Sequence, residues 1–160
     1  MANTQAMTTS FKVDLFNAVH AFNATGIPAH TAATADTFKA ALYLTTATVD
    51  ASTTAYSASN EVSGTGYVAG GVTVTNATTP TSTNASATAG VAYWTPSASI
   101  TYTTVTLATA FDAVLLYNST QSNKAISVHT FGSQTVTAGT FTLTMPSNTT
   151  STALIRLATT

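Results

Sequence analysis

The residues that most often do chemistry in proteins are few in this chain, and they lie far apart. It has no cysteine and only three histidines, His20, His30 and His129. The lack of cysteine excludes disulfides, thiol catalysis and cysteine-bound metals. No histidine has a second histidine or a carboxylate at a metal-binding spacing. We therefore expect structural or surface histidines, with no metal and no cofactor.

The acidic residues form no cluster in the sequence either. They are Asp14, Asp36, Asp50, Glu61 and Asp112. Asp36 and Asp50 stand before predicted elements, which indicates turn or capping roles. Asp112 lies within an apolar strand, and we expect it to meet Lys124, Arg156 or a partner protein. A glycosidase with paired carboxylates is the weak enzymatic alternative, because it would need two of these groups close together.

The serines and glycines also lack an enzymatic motif. No G-x-S-x-G sequence occurs, and no helix pattern or lysine follows the glycines at Gly64 and Gly66. A serine hydrolase or a phosphate-binding loop would require those features. The sequence therefore predicts a protein that is not an enzyme.

Aromatic residues offer one further kind of site. Tyr67, Tyr93, Trp94 and Tyr102 are close in sequence, and aromatic rings provide amphipathic contact area for sugars. We favour packing in the core and on the sheet for these rings. A glycan-binding face made of Tyr93, Trp94 and Tyr102 is the alternative.

The composition indicates one domain with an almost uncharged surface. Of 160 residues, 44% are hydrophobic and only 6% are charged, with a net charge of −1, whereas about 25% charged residues is usual. Four scattered lysines and arginines argue against binding to nucleic acid, because phosphate neutralisation dominates that affinity. Such a low net charge gives a free monomer little solubility, so we expect the surface to be partly covered in an assembly.

The N-terminal segment and the apolar runs indicate where in the cell the protein is expected. The opening MANTQAMTTS lacks the basic and apolar regions of a signal peptide. No apolar run approaches the roughly 20 residues of a membrane span. We expect no membrane partner and a protein that is made in the cytoplasm and is soluble or assembles there.

The densest apolar stretch, from Thr109 to Gly132, predicts a central β-hairpin with a loop near residues 118–123. Apolar residues such as Leu115 and Leu116 occupy both faces of its first strand, which indicates a strand covered on both sides. The strand from Asp36 to Thr46 is expected to have one wetter face.

Around this hairpin the pattern of short strands and polar turns predicts a mainly β fold with one N-terminal helix. The predicted parts of a single β-rich domain, residues 1–160, are a polar arm (1–9), a helix (10–23) and a β body (36–158) with a long loop or irregular edge (76–90). About eight or nine strands favour an antiparallel β-sandwich or a partly closed barrel.

Three segments carry a resemblance to a known family. They are DTFKAALYLTTATVDASTTAYSASNEVSGTGYVAGGVTV (Asp36 to Val74), AVLLYNSTQSNKAISVHTFG (Ala113 to Gly132) and TFTLTMPSNTTSTALIRLA (Thr140 to Ala158). Together with the opening MANTQAMTTSFKVDLFNAVHAF they resemble small virion structural proteins of tailed bacteriophages. The resemblance covers most of the chain except residues 76–90, contains no single diagnostic motif and implies no catalytic residues.

The resemblance implies a virion protein, most directly a capsid cement or decoration protein that binds and stabilises the shell of major capsid protein. The alternatives are a tail or adaptor component and a virion-displayed carbohydrate-binding module. The partners would be the major capsid protein and other copies of the chain, for which a trimer is one arrangement. Candidate contact residues are Asn3, Thr4, Gln5, Met7, Thr79, Pro80 and Asn84.

Overall fold

The computed structural model describes residues 2–22, 34–83 and 90–158. These residues form β1 (Ala6–Met7), α1 (Thr9–Phe16), β2 (Phe38–Leu44), β3 (Val72–Thr73), β4 (Thr81–Ser82), β5 (Val91–Trp94), β6 (Ile100–Asn118), β7 (Lys124–Leu143) and β8 (Ile155–Ala158). The strands make two antiparallel sheets, of order β1-β7-β6-β2-β3 and β4-β5-β8. Neither sheet closes into a barrel. The predicted mainly β fold with an N-terminal helix is confirmed, and its two sheets are consistent with a sandwich.

The hairpin of β6 and β7 is the centre of the fold, and it is longer than the sequence suggested. Its pairing runs from Asn118 and Lys124 beside the turn to Ile100 and Leu143 at the open end. The threonine-rich stretches beyond the predicted hairpin continue its two strands, as expected for β-branched residues on a pleated surface. β6 lies between β7 and β2, so the predicted hairpin and its central position are confirmed.

An inner apolar cluster fills the space between the two sheets and α1. Phe11 of α1, Trp94 of β5 and Ile155 of β8 pack there with Leu42 of β2 and Leu116 of β6. Burying each large apolar side chain contributes about 1.5–3 kcal/mol of favourable transfer free energy. This cluster is therefore the main attachment of the helix and the small sheet to the large sheet.

The segment of residues 45–60 covers the opposite, outer face of the large sheet beside the hairpin turn. Its Val49 and Tyr56 pack with Tyr43 of β2 and with Leu115 and Tyr117 of β6. Tyr43 is only 2% exposed. The predicted wetter face of the strand from Asp36 to Thr46 is therefore wrong, because a segment that follows the strand folds back over it.

Residues 2–9 are part of the domain and do not form the polar arm that we predicted for residues 1–9, of which residue 1 lies outside the described residues. The amide nitrogen of Asn3 donates to Asp112 Oδ1 at 2.6 Å and to Leu44 O at 2.9 Å, and its oxygen accepts from Val49 N at 3.1 Å. β1 then pairs with β7 opposite Ser127 and Val128. The expected contact of Asp112 with Lys124 or Arg156 is replaced by this bond to Asn3.

The helix is shorter than the predicted helix of residues 10–23. Its N-cap is Thr8, whose hydroxyl accepts from Phe11 N, and it ends at Phe16. Ala18 has a left-handed φ of 51°, which terminates the helical path. Phe16 is 92% exposed, whereas Phe22 stacks on the Phe38 ring at 4.8 Å. The apolar spacing therefore predicted correctly that Phe22 packs against the core, but it was wrong in placing Phe22 in the helix.

The long loop or irregular edge predicted at residues 76–90 contains a short edge strand. β4 pairs with β5 in the register Thr81 to Tyr93 and Ser82 to Ala92. Residues 84–89 of that prediction, and residue 23 of the predicted helix, lie outside the described residues.

Gly71 is predicted to be the glycine that the fold tolerates least when changed. It has a φ of +70°, and a Cβ added there would lie 1.7 Å from the carbonyl oxygen of Ala40. We expect Gly71→Ala to lower the free energy of unfolding by at least about 2 kcal/mol, measured by urea denaturation. The matched control is Gly132→Ala, because a Cβ at Gly132 meets no atom within 4 Å. Equal stability of the two variants would contradict this account.

Candidate functional site

Among the described residues, the open end of the β6–β7 hairpin is covered on one face only. We call this part the distal hairpin, and it consists of residues 100–110 and 130–143. On its inner face Tyr102 is 2% exposed and its hydroxyl donates to Ala40 O at 2.8 Å. On its outer face Thr101 and Thr142 stand directly opposite each other and are exposed. The residues that cover the outer face near the turn do not extend over the distal hairpin.

The distal hairpin carries no charged side chain in either strand. Its outer surface consists largely of threonine, and the hydroxyls of Thr101 and Thr142 lie 3.4 Å apart. Such a surface offers hydrogen-bonding groups without the desolvation cost of ions. It is chemically suited to broad contact with another protein.

One edge of the distal hairpin is also open, and we call residues 130–143 along this side of the sheet the β7 edge. β1 pairs with β7 only at Ser127 and Val128. Within the described part of the chain, no other strand pairs with that side of β7. A strand edge presents unpaired N–H and C=O groups to any chain that approaches.

A group of phenylalanines supports the distal hairpin from the inner face. The ring centroids of Phe111 and Phe141 lie 5.0 Å apart in an edge-to-face arrangement, and Phe131 and Phe141 lie 5.4 Å apart. Such pairs stabilise by about 0.5–1.5 kcal/mol beyond their buried area. These packed rings therefore stabilise the strand segment that carries the β7 edge.

Ser127 and His129 form the arrangement that most resembles a catalytic pair. Ser127 Oγ lies 2.9 Å from His129 Nε2, on the wall of a cavity of about 330 Å³ that Gln5 and Arg156 also line. Burial lowers the pKa of His129 to about 4, so the imidazole is neutral at pH 7.

The surroundings of this pair do not complete a catalytic site. A serine nucleophile requires an accessible hydroxyl and a histidine oriented by a third group. Ser127 is 2% exposed. No carboxylate of the described residues bonds to His129. The bond satisfies the buried hydroxyl of Ser127 and a ring nitrogen of the partly buried His129.

A second polar cluster joins α1 and the segment that follows it to the hairpin turn. Lys124 Nζ donates to the two oxygens of Asp14 at 2.9 and 3.1 Å. His20 Nδ1 lies 3.0 Å from the amide nitrogen of Asn118, which also donates to Asp36 at 2.7 Å. Because an amide nitrogen only donates, Nδ1 is the acceptor and the proton of neutral His20 lies on Nε2, 3.6 Å from Asp14. Burial lowers the pKa of His20, which favours this neutral form.

A third polar cluster surrounds the buried carboxylate of Glu61. It accepts from the hydroxyls of Tyr56 at 2.7 Å and Tyr67 at 2.8 Å, and from Gly70 N at 2.8 Å. Burial raises the pKa of both tyrosines above the usual value, so they stay protonated and donate. The carboxylate is thus occupied by structural bonds.

Among the described residues no group of three or more His, Cys, Asp or Glu side chains is placed to hold a metal ion. No helix in residues 2–22, 34–83 or 90–158 is long and apolar enough to cross a membrane.

The alternative prediction of a glycan-binding face is wrong, because two of its three rings are not at the surface. Trp94 is 3% exposed and its Nε1 donates to Thr78 O at 2.9 Å, and Tyr102 is 2% exposed. Tyr93, on β5, is partly exposed. Trp94 packs with the ring of Phe22, and Tyr102 stacks on Tyr67. The rings of Trp94 and Tyr102 belong to the core, so a sugar cannot contact the three rings together in this conformation.

The predicted contact residues have different environments. Asn3 is wrong as a contact, because its side chain is 9% exposed and its bonds are made within the chain. Met7 packs partly buried against the inner cluster. Exposed residues for which contact stays a prediction are Thr4, Gln5, Thr79 and Pro80; Asn84 lies outside the described residues.

The distal hairpin was the surface that sequence reasoning missed as a site. The signal was present, because TFGSQTVTAGTFTL (Thr130 to Leu143) contains neither a charged residue nor a proline. Alternation predicted its strands, but pairing partners are set by tertiary structure, so only the structure shows which edge is open.

Protonation of His129 is predicted to destabilise the fold in acid. Its folded pKa of about 4 lies below the unfolded value of about 6.5, so its contribution to stability is complete above pH 6.5 and is lost as the pH falls toward 4. Between pH 7 and pH 4 the unmodified chain should lose on the order of 2–3 kcal/mol more than His129→Gln, measured by urea unfolding at each pH. Ser127→Ala is the control, because it keeps the imidazole and should keep the pH dependence. Parallel curves for the unmodified chain and His129→Gln would refute this assignment.

Comparison with known proteins adds no identification to this geometry. No protein-family model matches the chain, and no curated protein and no solved structure matches it significantly.

Proposed function

We propose that the protein is a non-enzymatic structural component of a bacteriophage virion, which acts as cement on the shell of major capsid protein. The observation that carries this proposal is the distal hairpin, with its exposed uncharged outer face and its open edge. The resemblance noted in the sequence supports the virion setting. Its second segment, Ala113 to Gly132, contains the hairpin turn, and its third, Thr140 to Ala158, includes the end of β7.

A cement protein must make broad contact with a shell that presents many identical sites. An extended β surface provides such contact through main-chain pairing and side-chain hydroxyls. Many copies bound at symmetric positions convert modest individual contacts into high avidity. The distal hairpin supplies hydroxyls for the shell on its outer face, and its open edge is free for main-chain pairing with another protein chain.

The charged residues of the chain are largely used inside the domain. Asp14 pairs with Lys124, Glu61 binds two tyrosine hydroxyls, and Asp112 binds Asn3. Arg156 donates to the carbonyls of residues 150 and 151. Binding that depends on few surface ions is weakly affected by salt, which suits a protein that holds a shell together in changing conditions.

A tail or adaptor component is the second candidate, because the same uncharged surface would serve contact between tail proteins. The position in the virion distinguishes the two. The structure argues against a carbohydrate-binding module, because the rings of Trp94 and Tyr102, which would contact the sugar, are buried.

The proposal predicts that removing the protein weakens the capsid. Virions that lack it should lose density on the shell by cryo-electron microscopy and release DNA at a lower temperature, with host adsorption unchanged. Density lost only from the tail would assign the protein there. An unchanged shell with unchanged release would overturn the cement role.

The outer face of the distal hairpin can be tested with one added charge. We expect Thr101→Lys to weaken binding to stripped capsids at least about tenfold, because an unpaired charge at an interface costs more than 1.4 kcal/mol. Thr46→Lys is the matched control, since Thr46 is exposed in the turn after β2, outside the distal hairpin. Equal binding by the two variants, measured by co-sedimentation, would exclude this face.

A further inference from the structure

We propose that two copies of this chain pair through the β7 edge, strand to strand and antiparallel, about a twofold axis. This inference rests on the proposed structural function and deepens it, because it names the partner that occupies the β7 edge. The outer face of the distal hairpin then remains available to the capsid.

The β7 edge is the longest open sheet edge in the described chain. The other edge strands are short: β1, β3 and β4 have two residues each and β8 has four. Short edge strands are one device by which proteins prevent unwanted pairing. Residues 130–143 continue for 14 positions of β7 without a partner on this side.

The β7 edge also lacks the side chains that usually block pairing. Lysine and proline on an edge prevent association, and neither occurs between Thr130 and Leu143. In antiparallel pairing of two identical strands, residues of the same segment face each other across the axis, so a charge near the axis would meet its own copy. The absence of charge removes this repulsion, which favours a second copy as the occupant.

Local irregularities restrict where the pairing can occur. The register of β7 against β6 shifts between the pairs of Phe111 and Ala113, and Ala138 has a left-handed φ of 46°. Bulges of this kind bend an edge away from a flat partner. From Gly139 to Leu143 the one register shift places its extra residue on β6, where Thr104 has a left-handed φ of 54°. β7 itself stays regular over this run, so this run is the part able to pair.

A register centred on Phe141 gives complementary neighbours. It places the two copies of Phe141 opposite each other on the inner face, and Gly139 opposite Leu143, a small residue against a large one. On the outer face Thr140 lies opposite Thr142, both exposed. Threonine pairs and aromatic pairs both stabilise antiparallel strands. The partly buried rings and methyl groups along this run gain further burial.

The absence of cysteine allows a direct test by cross-linking. In this register the Cα atoms of Thr140 and Thr142 of the partner copy are about 4.5–5.5 Å apart, within reach of a disulfide, whereas two copies of Thr140 are about 8 Å apart. Purified Thr140→Cys is mixed with ¹⁵N-labelled Thr142→Cys and oxidised without capsids. Intact-mass spectrometry then separates the mixed dimers from those of each variant alone.

We expect mixed dimers to form at least about tenfold faster than dimers of either variant alone, and faster than dimers of Thr46→Cys, the collision control. Sedimentation of the unmodified chain should show a dimer that Thr140→Lys dissociates. Equal cross-linking in all mixtures, or a monomer at high concentration, would overturn this inference. Because no capsid is present, such a failure would leave the capsid-binding result to stand or fall separately.

Discussion

The burial of β6 on both of its faces is the constraint on which the rest of the structure depends. Near the hairpin turn Leu115 and Leu116 are each at most 2% exposed, although they point to opposite sides of the sheet. A strand in this position requires one layer of chain above the sheet and another below it. The small sheet and α1 supply the inner layer, and residues 45–60 supply the outer layer.

The limits of the outer layer explain why the domain has two unlike ends. Residues 45–60 reach only the half of the hairpin beside the turn, where the polar clusters of Asp14 and Glu61 fasten the surrounding segments to the sheet. Buried polar groups that are fully bonded specify a single arrangement more than they add stability. In the described part of the chain, no residues cover the outer face of the far half of the same two strands, where the exposed residues are largely threonines.

The parts of the fold that followed from the sequence were those with local signals. Alternation around Leu115 and Leu116 correctly indicated a hairpin buried on both faces, because the period of a strand is fixed by its geometry. The helix end, the wetter face of β2 and the role of Asn3 could not be read in this way. Asn3 bonds to Asp112, 109 residues away, and a spacing rule contains no information about such pairs. The open edge of β7 was predictable only in part. The sequence shows that residues 130–143 carry no charge, but it does not show that no described strand pairs with them on that side.

The docking of β1 fixes the order in which the chain can fold during synthesis. The hydroxyl of Thr8 donates to the carbonyls of Ala125 and Ile126, which are made more than 100 residues later, at separations of 117 and 118. The hairpin needs to close only the turn of residues 119–123, so its entropic cost is small. β1 is thus made long before the strand with which it pairs. Because Ser127 and Val128 lie beside the turn, β1 can pair before the far end of β7 is made, so the N-terminal contacts and the distal hairpin form at different stages of synthesis.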